Sequence, residues 1–233
     1  MSKPNQPNRL SGGLINRDAP LAFRFNGKPM QGYAGDTLAS ALLANGQRLV
    51  ARSFKYHRPR GIFTAGSEEP NALVHLRGDA AGEPNTRATM AELFDGLTAS
   101  SQNHRGSLEH DLMAVTDLFS RFLGAGFYYK TFMWPKSFWE RVYEPAIRAA
   151  AGLGRLSGKE DPDAYDKGFG HCDLLVIGAG PAGLMAALTA GRAGARVILA
   201  DEDFRLGGRL NAETLEVAGG PGHVWAAQTV AEL

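Results

Sequence analysis

Three features of this 233-residue chain predict a mixed α/β fold in two parts. The first is Asp173-Leu-Leu-Val-Ile-Gly178-Ala-Gly180-Pro-Ala-Gly183-Leu, an apolar run that enters G-x-G-x-x-G. The second is another apolar run, Val197 to Leu199, closed by Asp201. The third is a strand, turn and helix pattern between Leu21 and Gly46. Together they predict a small β-grasp-like domain, then the first βαβ of a Rossmann-type dinucleotide-binding domain.

In the second part each residue type has a physical task. Leu174 to Ile177 reads as a buried strand and the residues after Gly183 as a helix. Gly178 permits the tight turn. Gly180 has no side chain to block a pyrophosphate, and Gly183 lets helix and strand pack closely. The helix start offers free N–H groups and a positive dipole end. Asp201 follows Gly183 by 18 residues, near the roughly 20 expected of an acid that binds an adenosine ribose. Beyond it, Gly207-Gly208-Arg209 allows a close backbone approach, with Arg209 in reach of a phosphate. This pattern suits NAD and FAD alike. Only 32 residues follow Asp201, and a doubly wound domain needs several more strands. The expectation is the opening piece of a truncated domain whose sheet has an uncovered apolar edge.

The first part reads in order as follows. Residues 1 to about 20 form an extended arm. Leu21 to Phe25 alternates like a strand, Asn26-Gly27 is a hairpin turn, and Met30 to Tyr33 returns. Asp36 or Thr37 caps a helix bearing Leu38, Ala41, Leu42 and Asn45, which Gly46 stops. Leu49 to Phe54 and Ala72 to Arg77 are further candidate strands. Residues 108 to 123 look helical, with Leu112, Val115, Leu118, Phe119 and Phe122 on one face. Eight aromatics lie between Phe127 and Tyr143, read as core packing between domains, with a partner-subunit contact as the competitor. Gly152 to Gly170 reads as a linker. The domains expected are 1–105, β-grasp; 106–170, aromatic-rich helical connector and linker; and 171–233, the incomplete dinucleotide-binding part.

Composition narrows the function. The chain is 44% hydrophobic and 21% charged, as in ordinary globular proteins. A net charge of +1 gives no general attraction to nucleic acid or a membrane surface. The start lacks the apolar core of a secretory signal, and no apolar run approaches a membrane span. A single cysteine, Cys172, excludes an internal disulfide and a four-cysteine cluster and suggests a reducing cytoplasm.

Other chemical candidates are fewer. Arg48, Arg52, Lys55, Arg58 and Arg60 crowd one stretch with Phe54 and Tyr56, and no acid occurs between Asp36 and Glu68. That pattern suits an anion or a flavin phosphate, with a solvated loop as its main rival and RNA binding, the generic reading of interleaved basic and aromatic residues, as a lesser one. The six histidines show no metal-ligand spacing, so ordinary solvated or hydrogen-bonded histidine is expected. Glu68, Glu69 and Asn71 read as a turn and cap. No catalytic residue and no metal ligand is expected.

Longer stretches carry a family resemblance. They are Gly35-Asp-Thr-Leu-Ala-Ser-Ala-Leu-Leu-Ala-Asn-Gly46, Arg52-Ser-Phe-Lys-Tyr-His-Arg-Pro-Arg-Gly61 and Glu69-Pro-Asn-Ala-Leu73. Ala125-Gly-Phe-Tyr-Tyr-Lys-Thr-Phe-Met133, Tyr143-Glu-Pro-Ala-Ile-Arg148 and the Gly178 loop complete them. Over nearly its whole length the chain resembles the alpha subunits of heterotetrameric sarcosine oxidases. Gly35 to Gly61 is also similar to subunits of hydrogen cyanide synthase and opine oxidases.

The resemblance implies a ferredoxin-type [2Fe–2S] β-grasp without its cluster, since no cysteine stands there. It implies that NAD fills the nucleotide site, with FAD possible, held by Gly178, Gly180, Pro181, Ala182, Gly183, Asp201, Glu202, Gly208 and Arg209. It implies beta, gamma and delta partner subunits, and FMN and FAD in the intact complex. That complex would oxidise sarcosine with O2 and tetrahydrofolate to glycine, H2O2 and 5,10-methylenetetrahydrofolate, the isolated chain being inactive. The rivals are the cofactor subunit of an opine or amino-acid dehydrogenase or oxidase, and a non-enzymatic nucleotide-binding scaffold.

Overall fold

A computed structural model describes residues 6–77, 81–127, 132 and 134–233. The chain forms two compact units, 1–163 and 164–233.

The first unit is built on a five-stranded sheet ordered β2-β1-β7-β5-β6. Its strands are β1 (Asn16–Phe25), β2 (Lys28–Ala34), β5 (Leu73–Leu76), β6 (Glu83–Arg87) and β7 (Leu97–Ser101). β1 pairs antiparallel with β2 and parallel with β7. The hairpin turn falls where expected. Asn26 and Gly27 both have positive φ, 49° and 78°, as a two-residue turn matching strand twist requires. Asn26 Oδ1 also accepts from the Ser101 N–H and hydroxyl, tying the turn to β7.

Helix α1 (Leu38–Ala44) is capped by Thr37, which exchanges hydrogen bonds with Ser40 in a capping box. Its buried face, with Leu38, Ala41 and Leu42, packs with Phe23, Phe25, Val74 and Leu97 of the sheet. Asp36, the other cap candidate, has a different task. Its buried carboxylate takes both arms of the Arg9 guanidinium at 2.7 and 2.8 Å, the Tyr33 N–H and the Ser40 hydroxyl. It thereby anchors the leading segment.

Several expectations are corrected. β1 begins at Asn16, inside the expected arm; polar residues there show no alternation, yet Asn16 pairs with Ala34 across an irregularity. The strand expected at 49–54 shrinks to β3 (Ala51–Arg52), paired with β4 (Pro59–Arg60). The residue pattern does not predict β6 and β7, because β6 is a polar edge strand and β7 buries only Leu97, Ala99 and Ser101. The segment 108–123 is a 3-10 helix at Leu112–Phe119 rather than an α-helix, and its five marked apolar residues are exposed.

The aromatic stretch does not form a buried core among the described residues. Trp134 and Phe138 are exposed, while Phe127, Phe132, Trp139 and Tyr143 are half-buried. These rings pack on one another: Phe132 lies 5.2 Å from Tyr143 and 6.1 Å from Phe127. Tyr128 and Tyr129 lie outside the described residues. A π-type turn, Trp139–Tyr143, leads into α2 (Glu144–Ala151), and residues 152–170 carry no regular structure.

The second unit holds β8 (Leu174–Ile177), α3 (Pro181–Arg192) and β9 (Val197–Ala200). The two strands pair parallel, Leu174 with Val197 through Ile177 with Ala200. The short hairpin of β10 (Glu216–Val217) and β11 (Gly220–Pro221) precedes α4 (Gly222–Glu232). A small core of Ala179, Leu184, Leu210 and Ala226 joins these pieces. Leu175, Ile177 and Ile198 stay exposed, so the strands present the uncovered apolar surface expected of them.

Candidate dinucleotide-binding site

Strand β8 ends in a turn that only glycine adopts easily: Gly178 has φ +96°, and its N–H donates to Ala200 O at 2.7 Å. The chain then enters α3 with Gly180 as N-cap and Pro181 in the first turn, where a missing N–H costs nothing. The three glycines separate into distinct tasks. A Cβ on Gly183 would sit 1.8 Å from Gly178 O, so this glycine closes helix onto strand. A Cβ on Gly180 would meet nothing within 4 Å, so that space is open. Gly208, with φ +52°, lies close by; its Cβ would be 3.1 Å from Gly180 Cα. Gly207 N–H donates to Ala179 O at 2.9 Å and holds this second loop against the first.

The N–H groups of Gly180, Ala182 and Gly183 have no hydrogen-bond partner among the described residues. The first turn of a helix cannot satisfy them internally, which is what makes a helix start an anion seat. Gly178, Gly180, Pro181, Ala182, Gly183 and Gly208 are therefore brought together, with Asp201 beside them. Asp201 Oδ2 accepts from Ala179 N–H at 2.5 Å and Oδ1 from Asp203 N–H at 2.7 Å. Each oxygen retains a further lone pair for a hydroxyl donor. Glu202 is exposed next to it. Arg209 points its guanidinium at Glu213, four residues on, at 2.7 Å. That contact draws off the charge expected to reach a phosphate.

Sequence reasoning passed over two residues here. Ala179 supplies the N–H that orients Asp201, and backbone roles leave no trace in residue type. Asp203 has its carboxyl pushed up, first by burial and then by the neighbouring charges of Asp201 and Glu202.

Part of the basic stretch of the first unit is engaged within the fold. Arg52 donates to the carbonyls of Leu108, His57 and Glu109; Arg58 pairs with Asp117 at 2.7 Å; Lys55 Nζ donates to Gly124 O. The acids absent from the local sequence arrive from residues 109–117. His57 is buried, its Nδ1 2.6 Å from Asp111 Oδ2. Burial alone would push the Asp111 carboxyl up; N–H donors of Arg105 and Met113 and the His57 contact outweigh it and hold it below the ordinary range. Glu69, 1% exposed, accepts four backbone N–H groups, from Phe63, Thr64, Asn71 and Ala72. It is the turn organiser the sequence suggested.

Comparison with known proteins bears on both units. Residues 18–104 match a 2Fe-2S iron-sulfur cluster binding domain, and residues 173–231 match an FAD dependent oxidoreductase domain. Over 233 residues the chain is 61% identical to the sarcosine oxidase alpha subunit of Rhizobium meliloti (strain 1021), covering all of this chain and 23% of that protein. It is 36% identical to the sarcosine oxidase alpha subunit of Corynebacterium sp. (strain U-96), covering 90% of this chain and 17% of that one. A 41-residue stretch is 58% identical to an opine oxidase subunit of Agrobacterium tumefaciens (strain Ach5), covering 18% of this chain and 8% of the relative. Among solved structures, the L-proline dehydrogenase from P. horikoshii superposes with a TM-score of 0.52 at 19% identity, covering all of this chain and 34% of that one.

The two cofactor types suggested by these domain matches fare differently. An iron–sulfur cluster needs thiolates, and residues 18–104 contain no cysteine. Among the described residues no group of three or more His, Cys, Asp or Glu could hold a metal. The first unit therefore does not fit a cluster. The second fits a dinucleotide, through the open Gly180 face and the free helix-start N–H groups. The chain spans about a quarter or less of the length of these sarcosine oxidase relatives. Over its whole length the chain is similar to part of the sarcosine oxidase alpha subunits, with one segment matching a 2Fe-2S cluster binding domain whose cluster ligands it lacks and another matching an FAD dependent oxidoreductase.

Proposed function

We propose that this chain is the cofactor-holding part of a sarcosine-oxidase-type alpha subunit, in the domains 1–105, 106–170 and 171–233. The observation that carries the cofactor reading is the open face of Gly180 above unpaired N–H groups at the start of α3. The N–H groups of Gly180, Ala182 and Gly183 would hold a diphosphate. Asp201, oriented by Ala179, would accept the hydroxyls of the adjoining ribose. Gly178 and Gly208 keep side chains away, while Pro181 sets the helix entry. Glu202 and Arg209 belong to the site's rim. The nucleotide proposed is NAD; FAD is the alternative at the same atoms. A bound nicotinamide or flavin would supply hydride-transfer chemistry, and no side chain of this chain is assigned a chemical step.

The proposed assembly contains beta, gamma and delta subunits with FMN and FAD, and works in the cytoplasm. It oxidises sarcosine with O2 and tetrahydrofolate to glycine, H2O2 and 5,10-methylenetetrahydrofolate. Identity of 61% across all 233 residues of this chain to a part of a protein of that name supports this. The short opine oxidase match keeps an opine or amino-acid oxidase as the alternative. The test is sarcosine-dependent peroxide formation by the purified complex, with mass spectrometry of the released nucleotides. Peroxide with an opine but not with sarcosine would replace the first reading by the second. Bound nucleotide without flavin or partner subunits would leave a nucleotide-binding scaffold module.

A further inference from the structure

Three acids are buried among the described residues: Asp36, Glu69 and Asp111. A charge taken out of water must be compensated. Asp36 is met by the Arg9 guanidinium and Asp111 by His57. Glu69 has no side-chain cation partner among the described residues; its charge is met by backbone N–H groups.

Those donors come from both arms of one loop. Oε2 accepts from the N–H groups of Phe63 and Thr64 at 2.8 and 2.6 Å, and from the Thr64 hydroxyl at 3.3 Å. Oε1 accepts from the N–H groups of Asn71 and Ala72 at 2.7 and 3.1 Å. The span runs from six residues before Glu69 to three after it, wider than the side-chain turn of an ordinary cap. The loop is fastened outside as well. Gly66 O accepts from the Thr89 hydroxyl, and Ala72 O from the Ala88 N–H. Ala72 and Ala88 are fully buried in the core, and Ala72 leads directly into β5.

This loop lies within the stretch that matches a 2Fe-2S cluster binding domain, yet that stretch has no cysteine. A cluster does two things for the chain that wraps it. Its iron–thiolate bonds cross-link the loop, and its negatively charged sulfurs accept hydrogen bonds. The first is impossible here without thiolates. The second is what the Glu69 carboxylate does.

We propose that Glu69 does for loop 63–72 what a cluster does in the matched domain: it is the internal anion around which the loop folds. Two observations select Glu69 over Asp36 and Asp111. Its donors converge from both arms of a single loop, and no cationic side chain shares the charge. A carboxylate neither gains nor loses an electron in this setting, so the loop holds the entry to β5 and carries no electron. The loop forms without iron.

The experiment is amide hydrogen exchange of the full-length protein, read at Phe63, Thr64, Asn71 and Ala72. In E69Q the side chain keeps one acceptor oxygen, and its NH2 group faces the other pair of N–H groups donor to donor. At least one of the two pairs should exchange roughly tenfold faster or more. Wild-type rates at all four would overturn the proposal. In E69A all four should lose protection, and added formate, a free carboxylate, should restore it. Formamide, its neutral counterpart, should not. If formate restores no protection, whether or not E69A folds, or if formamide restores as much, the central anion is not what organises the loop. Wild-type protein from iron-depleted culture should keep all four amides protected; loss of their protection there would also overturn the proposal.

Discussion

Placing one methyl group on Gly180 or on Gly183 separates fold from ligand at the candidate site. At Gly180 the backbone has φ −67° and ψ −179°, ordinary for alanine, and the added Cβ meets nothing within 4 Å. G180A should therefore leave the fold intact. It should raise stability by about 0.4–1 kcal/mol, because alanine narrows the unfolded ensemble. The same methyl would enter the space where a diphosphate meets the backbone. Loss of one hydrogen bond to a charged group is worth about 1.5–3 kcal/mol. Nucleotide affinity should fall by roughly 10- to 150-fold.

At Gly183 the Cβ would lie 1.8 Å from Gly178 O, about 1.5 Å or more short of an ordinary contact. The obstacle is backbone, so α3 must move off β8, at a cost near the upper end of ~1–3 kcal/mol. G183A should lower both stability and affinity. Calorimetric titration with NAD and with FAD, beside thermal unfolding of the full-length protein, reads both quantities. If G180A binds nucleotide as the wild type does, the diphosphate does not lie over Gly180 and the assignment is wrong. If G180A unfolds the domain, the open space assigned to it is wrong instead.

Other perturbations test the first unit and the basic loop. Burial would push the Glu69 carboxyl up, but four backbone N–H donors outweigh it and hold it below its ordinary 4.5. Its stabilisation is therefore present above that value and lost as pH falls through the lower folded value. E69Q should lose about 1.5–3 kcal/mol at neutral pH, and its melting temperature should fall less than the wild type's between neutral and acid pH; parallel pH profiles would refute this. D111A leaves His57 and the N–H groups of Arg105 and Met113 without their acceptor, a loss of about 1–3 kcal/mol or more. Limited proteolysis should then cut within 105–123, and unchanged resistance would count against the anchoring role. The Arg58–Asp117 pair is exposed, so D117N should change stability by no more than ~1 kcal/mol. In the full complex, joint replacement of Arg58 and Arg60 by alanine should lower flavin retention or assembly if the loop faces a phosphate or a partner. Unchanged flavin content and composition would remove that role.

The second unit was legible from residue order because its determinants are local. Gly178, Gly180 and Gly183 act through missing side chains at fixed offsets in one turn, and β8, α3 and β9 follow one another without interruption. The Asn26-Gly27 turn and the capped α1 were legible for the same reason, each resting on neighbours within four residues. Tertiary structure decided what depends on distant pairing. β7 is a strand because it lies between β1 and β5, not because its small residues favour one. His57 and Arg58 read as unpartnered until Asp111 and Asp117 are folded onto them from more than fifty residues away. The apolar face of 112–122 was visible as a pattern, but a periodicity states only that one side differs from the other. Which side meets water was set by the polar anchors beneath it, and those reside in another part of the chain.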